Sequence, residues 1–210
     1  GAQGEAVLRV SGLTALHQNG GYKLNDVSFA LRKGEVIGIY GLLGAGRTEL
    51  FKGLIGMMHC QSGSVSLNGE ALDKSSFQQR LKKGIALVPE DRQTEGVVQL
   101  MSITANMTLS DLSLRGFRRA LRLLNPQKEQ SRVDEMIGHL AIKVSDPELP
   151  ITSLSGGNQQ KVVLGKALMT GPQVVLLDEP TRGIDVGAKT DVYHLIGNLA
   201  QQGLAVMFSS

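Results

Sequence analysis

An apolar run of strand length leads directly into a glycine-rich stretch and then into a segment with helical periodicity, and this order constrains the fold more than any other feature. The run covers 35–40, and glycine occurs at 41, 44 and 46 of the stretch that follows. Apolar residues recur at helical spacing from about Arg47 onwards. Because glycine tolerates the backbone angles of a tight turn, the pattern predicts a strand, a loop and a helix of an α/β protein.

Further apolar runs alternate with helical patterns along the rest of the chain. We predict additional strands at 7–10, 27–31, 64–67, 85–88, 174–177 and 205–208. We predict helices at 75–83, 132–141 and 186–200, and a further helix that follows the polar turn at 153–158 and ends at about 169. Strands that alternate with helices favour a largely parallel sheet. Between them, 96–149 lacks convincing strands and is predicted to form a helical insertion.

Composition excludes several classes of protein. The chain has 210 residues, of which 41% are hydrophobic and 20% charged, and no apolar run approaches the roughly 18 residues that a membrane-spanning helix needs. A formal net charge of +3 is too small to indicate a nucleic-acid partner, and we predict none. The single cysteine, Cys60, cannot form an intramolecular disulfide, which favours a reducing, cytoplasmic setting.

The glycine-rich loop has the residue types that bind phosphate. Gly41, Gly44 and Gly46 allow several backbone N–H groups to converge near the positive end of a helix dipole. Thr48 is placed to offer its hydroxyl to Mg²⁺, and Arg47 occupies the position where the usual motif has lysine. The alternative is a tight turn between strand and helix that binds nothing.

Two adjacent carboxylates follow the apolar strand predicted at 174–177. Asp178 is placed to hold Mg²⁺, and Glu179 to reach the water that attacks a γ-phosphate. Two acids at the end of a strand can also merely cap a following helix. The glycine-rich loop upstream favours the first interpretation.

A second group of glycines precedes a predicted helix at 154–160. Ser155 and the N–H groups of Gly156 and Gly157 could form a further anion site, and the alternative is an ordinary N-capped helix start. One nucleotide hardly needs two phosphate sites. We therefore predict that this segment serves a nucleotide bound mainly to another subunit or domain.

The order of glycine loop, helical insertion, Leu-Ser-Gly-Gly and strand ending in Asp-Glu resembles the ATP-binding cassette (ABC) ATPases over nearly the whole chain. The resemblance implies an α/β fold: a P-loop NTPase core with a mixed sheet, an antiparallel β edge and an inserted helical subdomain. It implies a core of about 1–95 and 151–210 and a helical subdomain of about 96–150. Strings at 44–50, 88–92, 154–160 and 178–189 look like the second cassette of monosaccharide importers of the ribose, galactose, arabinose and xylose type.

The resemblance also implies a role for each matching residue. ATP and Mg²⁺ are the expected ligands, with Glu179 as the catalytic residue and Thr48 and Asp178 as the metal ligands. The expected nucleotide contacts are Tyr22 against the adenine, Gly41, Leu42, Leu43, Gly44, Ala45, Gly46, Arg47 and Thr48 in the Walker A loop, Glu90 in the position that senses the γ-phosphate, and Ser155, Gly156 and Gly157 in the signature.

In the resembling family two cassettes pair head to tail, and each signature closes over the ATP of the other. The implied partners are thus a second cassette and a transmembrane sugar permease, at the cytoplasmic face of the membrane. Since the chain has one glycine loop, we expect it to be a fragment of a two-cassette polypeptide. The sequence does not indicate which sugar is transported.

Two positions depart from the family pattern. Arg47 replaces a compact ammonium with a planar fork, which predicts weak nucleotide binding or slow turnover at this site. Glu90 stands where a glutamine is typical, and a carboxylate there would repel phosphate oxygens. A regulatory nucleotide-binding module without hydrolysis is therefore an alternative function. A soluble cassette protein that acts on ribosomes or DNA is a third, disfavoured by the modest net charge.

Overall fold

A computed structural model describes residues 4–42, 46–115 and 125–210, which divide into two units. The first unit comprises Gly1–Leu87, Pro172–Glu179 and Ile196–Ser210, and the second comprises Val88–Gly171 and Pro180–Leu195. Of the predicted phosphate-binding residues, Leu43, Gly44 and Ala45 lie outside the described residues. No helix within the described ranges is long and apolar enough to cross a membrane.

Four strands form a sheet in the order β3-β8-β7-β6. They are β3 (Val36–Ile39), β6 (Ile85–Val88), β7 (Val174–Leu177) and β8 (Ala205–Ser209). Strand β8 pairs in parallel with both β3 and β7. Every residue of β7 is buried, as expected of a continuous apolar run inside a parallel sheet. The carboxyl ends of β3, β7 and β8 therefore meet at one edge of this sheet.

The other strands form a separate antiparallel sheet in the order β2-β1-β4-β5. They are β1 (Ala6–Leu16), β2 (Tyr22–Arg32), β4 (Ser62–Leu67) and β5 (Glu70–Ala71). The predicted α/β class is confirmed, but the antiparallel strands have a sheet of their own and do not form the edge of a mixed one. Short connections join β1 to β2 and β4 to β5, and such turns allow only antiparallel pairing.

The helices cover the predicted helical segments. They are α1 (Arg47–Ile55), α2 (Phe77–Lys83), α3 (Ile103–Arg115), α4 (Pro126–His139), α5 (Gly156–Leu168) and α6 (Val186–Gln201). The stretch 96–149 contains α3 and α4 and no strand among its described residues. In the first unit, α1 buries Phe51, Leu54 and Ile55 in a core that draws residues from both sheets. Burial of each such side chain contributes about 1.5–3 kcal/mol.

A buried arginine fixes the C-terminal end of α1. Arg80, on α2, is 7% exposed. Its Nη1 donates to the carbonyls of Gly53 and Leu54 at 3.1 and 2.9 Å, and its Nη2 donates to the carbonyl of Leu72 at 2.9 Å. Burial lowers the pKa of this guanidinium. A cation at the last turn of a helix also complements the helix dipole, so Arg80 braces the helix that begins at Arg47.

Replacement of Arg80 by methionine is expected to lower the free energy of unfolding by about 2 kcal/mol, because buried carbonyls lose their donors. Urea unfolding of the purified chain measures this change. Lys82→Met on the same helix is the matched control, since Lys82 is exposed. The control should change stability by less than about 0.5 kcal/mol, and equal losses in the two variants would contradict the assignment.

Candidate functional site

Two hydroxyl groups converge on one carboxylate at the carboxyl edge of the parallel sheet. Asp178 directly follows β7 and is 4% exposed. The Thr48 hydroxyl donates to Asp178 Oδ2 at 2.7 Å, and the Ser209 hydroxyl donates to Asp178 Oδ1 at 2.8 Å. Thr48 lies in the first turn of α1, and Ser209 is the last residue of β8. The structure thus brings the two predicted metal ligands, Thr48 and Asp178, within hydrogen-bonding distance of each other.

An ion pair joins the two other charged residues predicted for this site. Arg47 Nη2 lies 2.8 Å from Glu179 Oε1, and the two side chains are 10% and 26% exposed. The second terminal nitrogen, Arg47 Nη1, is buried and has no hydrogen-bond partner among the residues that the structure describes. A buried donor left unpaired is unfavourable by about 1–3 kcal/mol. An anion that accepts a hydrogen bond from this nitrogen would remove that penalty.

The residue that precedes α1 is a glycine in a left-handed conformation. Gly46 precedes the helix with a φ of 81°. There is no room for a side chain at this position, since a Cβ would lie 2.6 Å from the carbonyl oxygen of Lys23. Only glycine fits this position without strain. Since glycine has no side chain, the residue that precedes α1 supplies no acceptor to the first N–H groups of the helix. Such groups, together with the helix dipole, suit a bound phosphate.

Three further predicted residues of the first unit are solvent-exposed. Tyr22 begins β2 and is 60% exposed. Gly41 is exposed, and Leu42 is 86% exposed. These exposures leave the three residues accessible to a ligand, and their roles stay predictions.

The predicted signature lies in the second unit, at the start of α5. The Ser155 hydroxyl accepts hydrogen bonds from the backbone and side-chain nitrogens of Asn158 at 3.4 and 3.1 Å. Gly156 and Gly157 form the first turn of the helix. A Cβ on Gly157 would lie 2.9 Å from the Cβ of Ala188. Ser155 is therefore an N-cap, and the glycines allow close packing at this helix end.

Within the second unit, a charged residue whose contacts sequence reasoning missed, Arg92, lies beside the signature. Arg92 donates from Nη1 to the carbonyl of Arg182 at 2.8 Å and from Nη2 to the carbonyl of Gly183 at 3.3 Å. A Cβ on Gly156 would lie 2.9 Å from Arg92 Nη2. Arg92 thus links the start of α5 to the segment after Pro180. The sequence shows Arg92 and the segment 182–183 in two distant strings, but it does not show that they are in contact.

Glu90, predicted to sense the γ-phosphate, forms an ion pair with Arg182. The neighbouring Asp91 caps the short π-helical turn Arg92–Gly96. Hydrogen bonds from Thr94 hold the pKa of Asp91 below its usual value. Glu90 and Asp91 therefore both have partners within the second unit.

Ser209 is the other functional residue that sequence reasoning missed. It is completely buried, and besides its bond to Asp178 its hydroxyl accepts the N–H of Glu179 at 2.9 Å. The signal in the sequence is a polar residue at the end of an apolar strand. That signal gains meaning only once β8 is known to lie next to β7.

Comparison with known proteins identifies the family. The family model described as ABC transporter matches residues 24–182. The chain belongs to the ABC transporter family. This ABC cassette is 46% identical over 210 residues to the xylose import ATP-binding protein XylG of Yersinia pseudotuberculosis, covering 99% of this chain and 41% of that protein. It is 44% identical to XylG of Escherichia coli (strain K12), covering 99% of this chain and 40% of the relative. The cassette thus spans less than half the length of these relatives.

Solved structures confirm the fold of the cassette. A nucleotide-free ATP-binding cassette from an ABC transporter has a TM-score of 0.83 at 20% identity, covering 98% of this chain and 81% of that one. A dimeric ATP-binding cassette, MJ0796, in a post-hydrolysis state with ADP and Pi has a TM-score of 0.81 at 20% identity, covering 97% of this chain and 87% of the other. The predicted resemblance to ABC ATPases is confirmed.

Proposed function

We propose that this cassette is the nucleotide-binding domain of a sugar importer, which binds Mg-ATP and couples its hydrolysis to monosaccharide uptake. One observation carries the proposal. Arg47, which has a buried nitrogen with no partner in the described part of the chain, lies on the same first turn of α1 as Thr48, whose hydroxyl contacts Asp178. The relatives described above, which are named xylose import ATP-binding proteins, support the substrate class.

The side chains at the sheet edge fit a magnesium–nucleotide complex. Hydroxyl and carboxylate oxygens are the ligands that Mg²⁺ prefers, and Thr48 and Asp178 would hold the ion. When bound, Mg²⁺ neutralises negative charge on phosphate oxygens. The N–H groups at the start of α1 would bind the phosphates, and Arg47 Nη1 would donate to one of their oxygens. The Glu179 carboxylate would accept a hydrogen bond from the attacking water and orient it.

The same residues support slow turnover at this cassette's own site. The Glu179 carboxylate already forms an ion pair with Arg47 Nη2, so the side chain that would orient water is held by a cation. Lysine is a compact ammonium on a flexible stem, whereas the planar fork of arginine binds a carboxylate strongly. We propose that the substitution of arginine for lysine in the Walker A loop slows hydrolysis through this ion pair.

The signature is proposed to serve a second cassette. Ser155, Gly156 and Gly157 would close over the ATP of that partner, and Tyr22 would contribute to this cassette's own site. The proposed partners are that second cassette, in the same polypeptide or as a second copy, and a transmembrane sugar permease. The cassette would then be peripheral, at the cytoplasmic face of the membrane, and no nucleic acid is involved.

Retention of labelled ATP tests the function. The purified chain is incubated with Mg²⁺ and γ-³²P-labelled ATP, and bound nucleotide and released phosphate are measured separately. We expect saturable retention with slow phosphate release. Retention without any release would favour the regulatory module, an alternative that the Arg47–Glu179 ion pair also supports. Absence of retention would refute nucleotide binding.

A further inference from the structure

One hydroxyl group connects both carboxylate-bearing residues that follow β7. Ser209 Oγ donates to Asp178 Oδ1 at 2.8 Å and accepts the backbone N–H of Glu179 at 2.9 Å. The serine itself is completely buried and lies in register with Ile39 of β3. Its position is therefore set by the parallel sheet and not by a mobile surface segment.

The bond to Asp178 fixes the orientation of the carboxylate that meets Thr48. Because Ser209 holds Oδ1, the other oxygen, Oδ2, is the one within 2.7 Å of the Thr48 hydroxyl. A carboxylate without its second donor could rotate about its terminal bond. Partners that orient a ligating carboxylate in this way are the usual means by which a protein tunes a metal site.

The bond to Glu179 stabilises an unusual backbone conformation. Glu179 has a φ of 45°, in the left-handed region that residues other than glycine rarely adopt. Its N–H is part-buried and finds its acceptor in the Ser209 hydroxyl. The same conformation accompanies the contact between the Glu179 side chain and Arg47. Without the Ser209 hydroxyl as acceptor, the backbone of Glu179 could leave the left-handed region, and its side chain could turn away from Arg47.

We infer that Ser209 is a positioning residue that holds Asp178 and Glu179 as one unit, so that Asp178 presents Oδ2 together with the Thr48 hydroxyl to a divalent cation. This inference rests on the proposed function, because the cation is expected to arrive with a nucleotide. Ser209 acts through Asp178 and does not itself touch the nucleotide.

Metal-dependent nucleotide binding by variants of residue 209 tests the role. The purified chain is titrated with fluorescent ADP in EDTA and in Mg²⁺, and Mn²⁺ binding in the presence of ADP is followed by electron paramagnetic resonance. Ser209→Ala should weaken Mn²⁺ binding by about 10-fold or more, which is typical for loss of a partner that orients a ligand. Affinity for ADP in EDTA should change by less than about 2-fold, because the phosphate contacts at α1 are untouched.

Two further variants separate positioning from simple packing. Ser209→Thr keeps a hydroxyl and should restore Mn²⁺ binding. Ser210→Ala is the matched control, since the neighbouring Ser210 is exposed and donates its backbone N–H to the carbonyl of Ile39. It should bind Mn²⁺ and ADP as the unaltered chain does. If Ser209→Ala does not fold, as judged by thermal unfolding, Ser209→Cys takes its place, because a thiol is a weak donor.

Two results would overturn the inference. One is unchanged Mn²⁺ binding in a folded Ser209→Ala chain, and the other is an equal loss of ADP binding with and without metal. Both leave nucleotide binding by the unaltered chain intact and so refute only the role of Ser209. Failure of the unaltered chain to bind ADP would instead refute the proposed function, and with it this inference.

Discussion

Replacement of Asp178 by asparagine is expected to weaken Mg-ADP binding by about 100-fold or more. Asparagine has no negative charge, and only one of its two terminal atoms can accept a bond from Thr48 or Ser209, which both donate to Asp178. Changes in outer partners alone weaken metal binding by about 10- to 100-fold, so loss of the ligand itself should weaken it at least as much. Calorimetric titration with ADP in Mg²⁺ and in EDTA measures the effect.

Glu49→Gln is the control for charge. Glu49 lies in the first turn of α1, next to Thr48, so its replacement removes one negative charge close to the proposed site without altering Asp178. Since an acid there opposes a bound phosphate, this variant should bind Mg-ADP as well as or better than the unaltered chain. If Asp178→Asn lost affinity equally in EDTA, the carboxylate would be a structural residue and not a metal ligand.

The pairing of Thr48 with Asp178 could be predicted from the sequence because it depends only on topology. An apolar run before each residue predicts parallel strands, and the carboxyl ends of parallel strands share an edge. The same reasoning explains why the strands at 85–88 and 174–177 were predicted with their observed bounds. The antiparallel strands were predicted too short, since β1 and β2 each extend over 11 residues. In the outer parts of these strands, apolar residues alternate with exposed polar ones, so the sequence there contains no continuous apolar run.

The contacts of Arg47 with Glu179 and of Ser209 with Asp178 could not be predicted, because they depend on geometry that no local pattern records. The ion pair of Arg47 with Glu179 accompanies a left-handed backbone at Glu179, and the sequence contains no glycine there to indicate it. The contact of Ser209 depends on the strand order β3-β8-β7. A sequence shows that a strand ends in serine, but it does not show which strand lies beside it.

The signature should matter more than Arg47 in a polypeptide that contains both proposed cassettes. Gly156→Val is expected to lower the ATPase activity of this polypeptide by about 100-fold, the usual effect of losing a hydrogen-bond donor that stabilises charge in the transition state. A Cβ at residue 156 would lie 2.9 Å from Arg92 Nη2 and 3.4 Å from the carbonyl oxygen of Gly183, so the branched side chain would obstruct the start of α5.

Arg47→Ala should lower the same activity by less than about 10-fold, because the cassette's own site is proposed to turn over slowly while the partner's site hydrolyses ATP. Gly197→Ala is the control for replacing a helical glycine, since no atom of the described residues lies within 4 Å of the added carbon. Steady-state phosphate release from the two-cassette polypeptide ranks the three variants. A larger loss with Arg47→Ala than with Gly156→Val would reverse the assignment. It would mean that hydrolysis takes place at the Walker A loop of this cassette and that the Arg47–Glu179 ion pair opens during turnover.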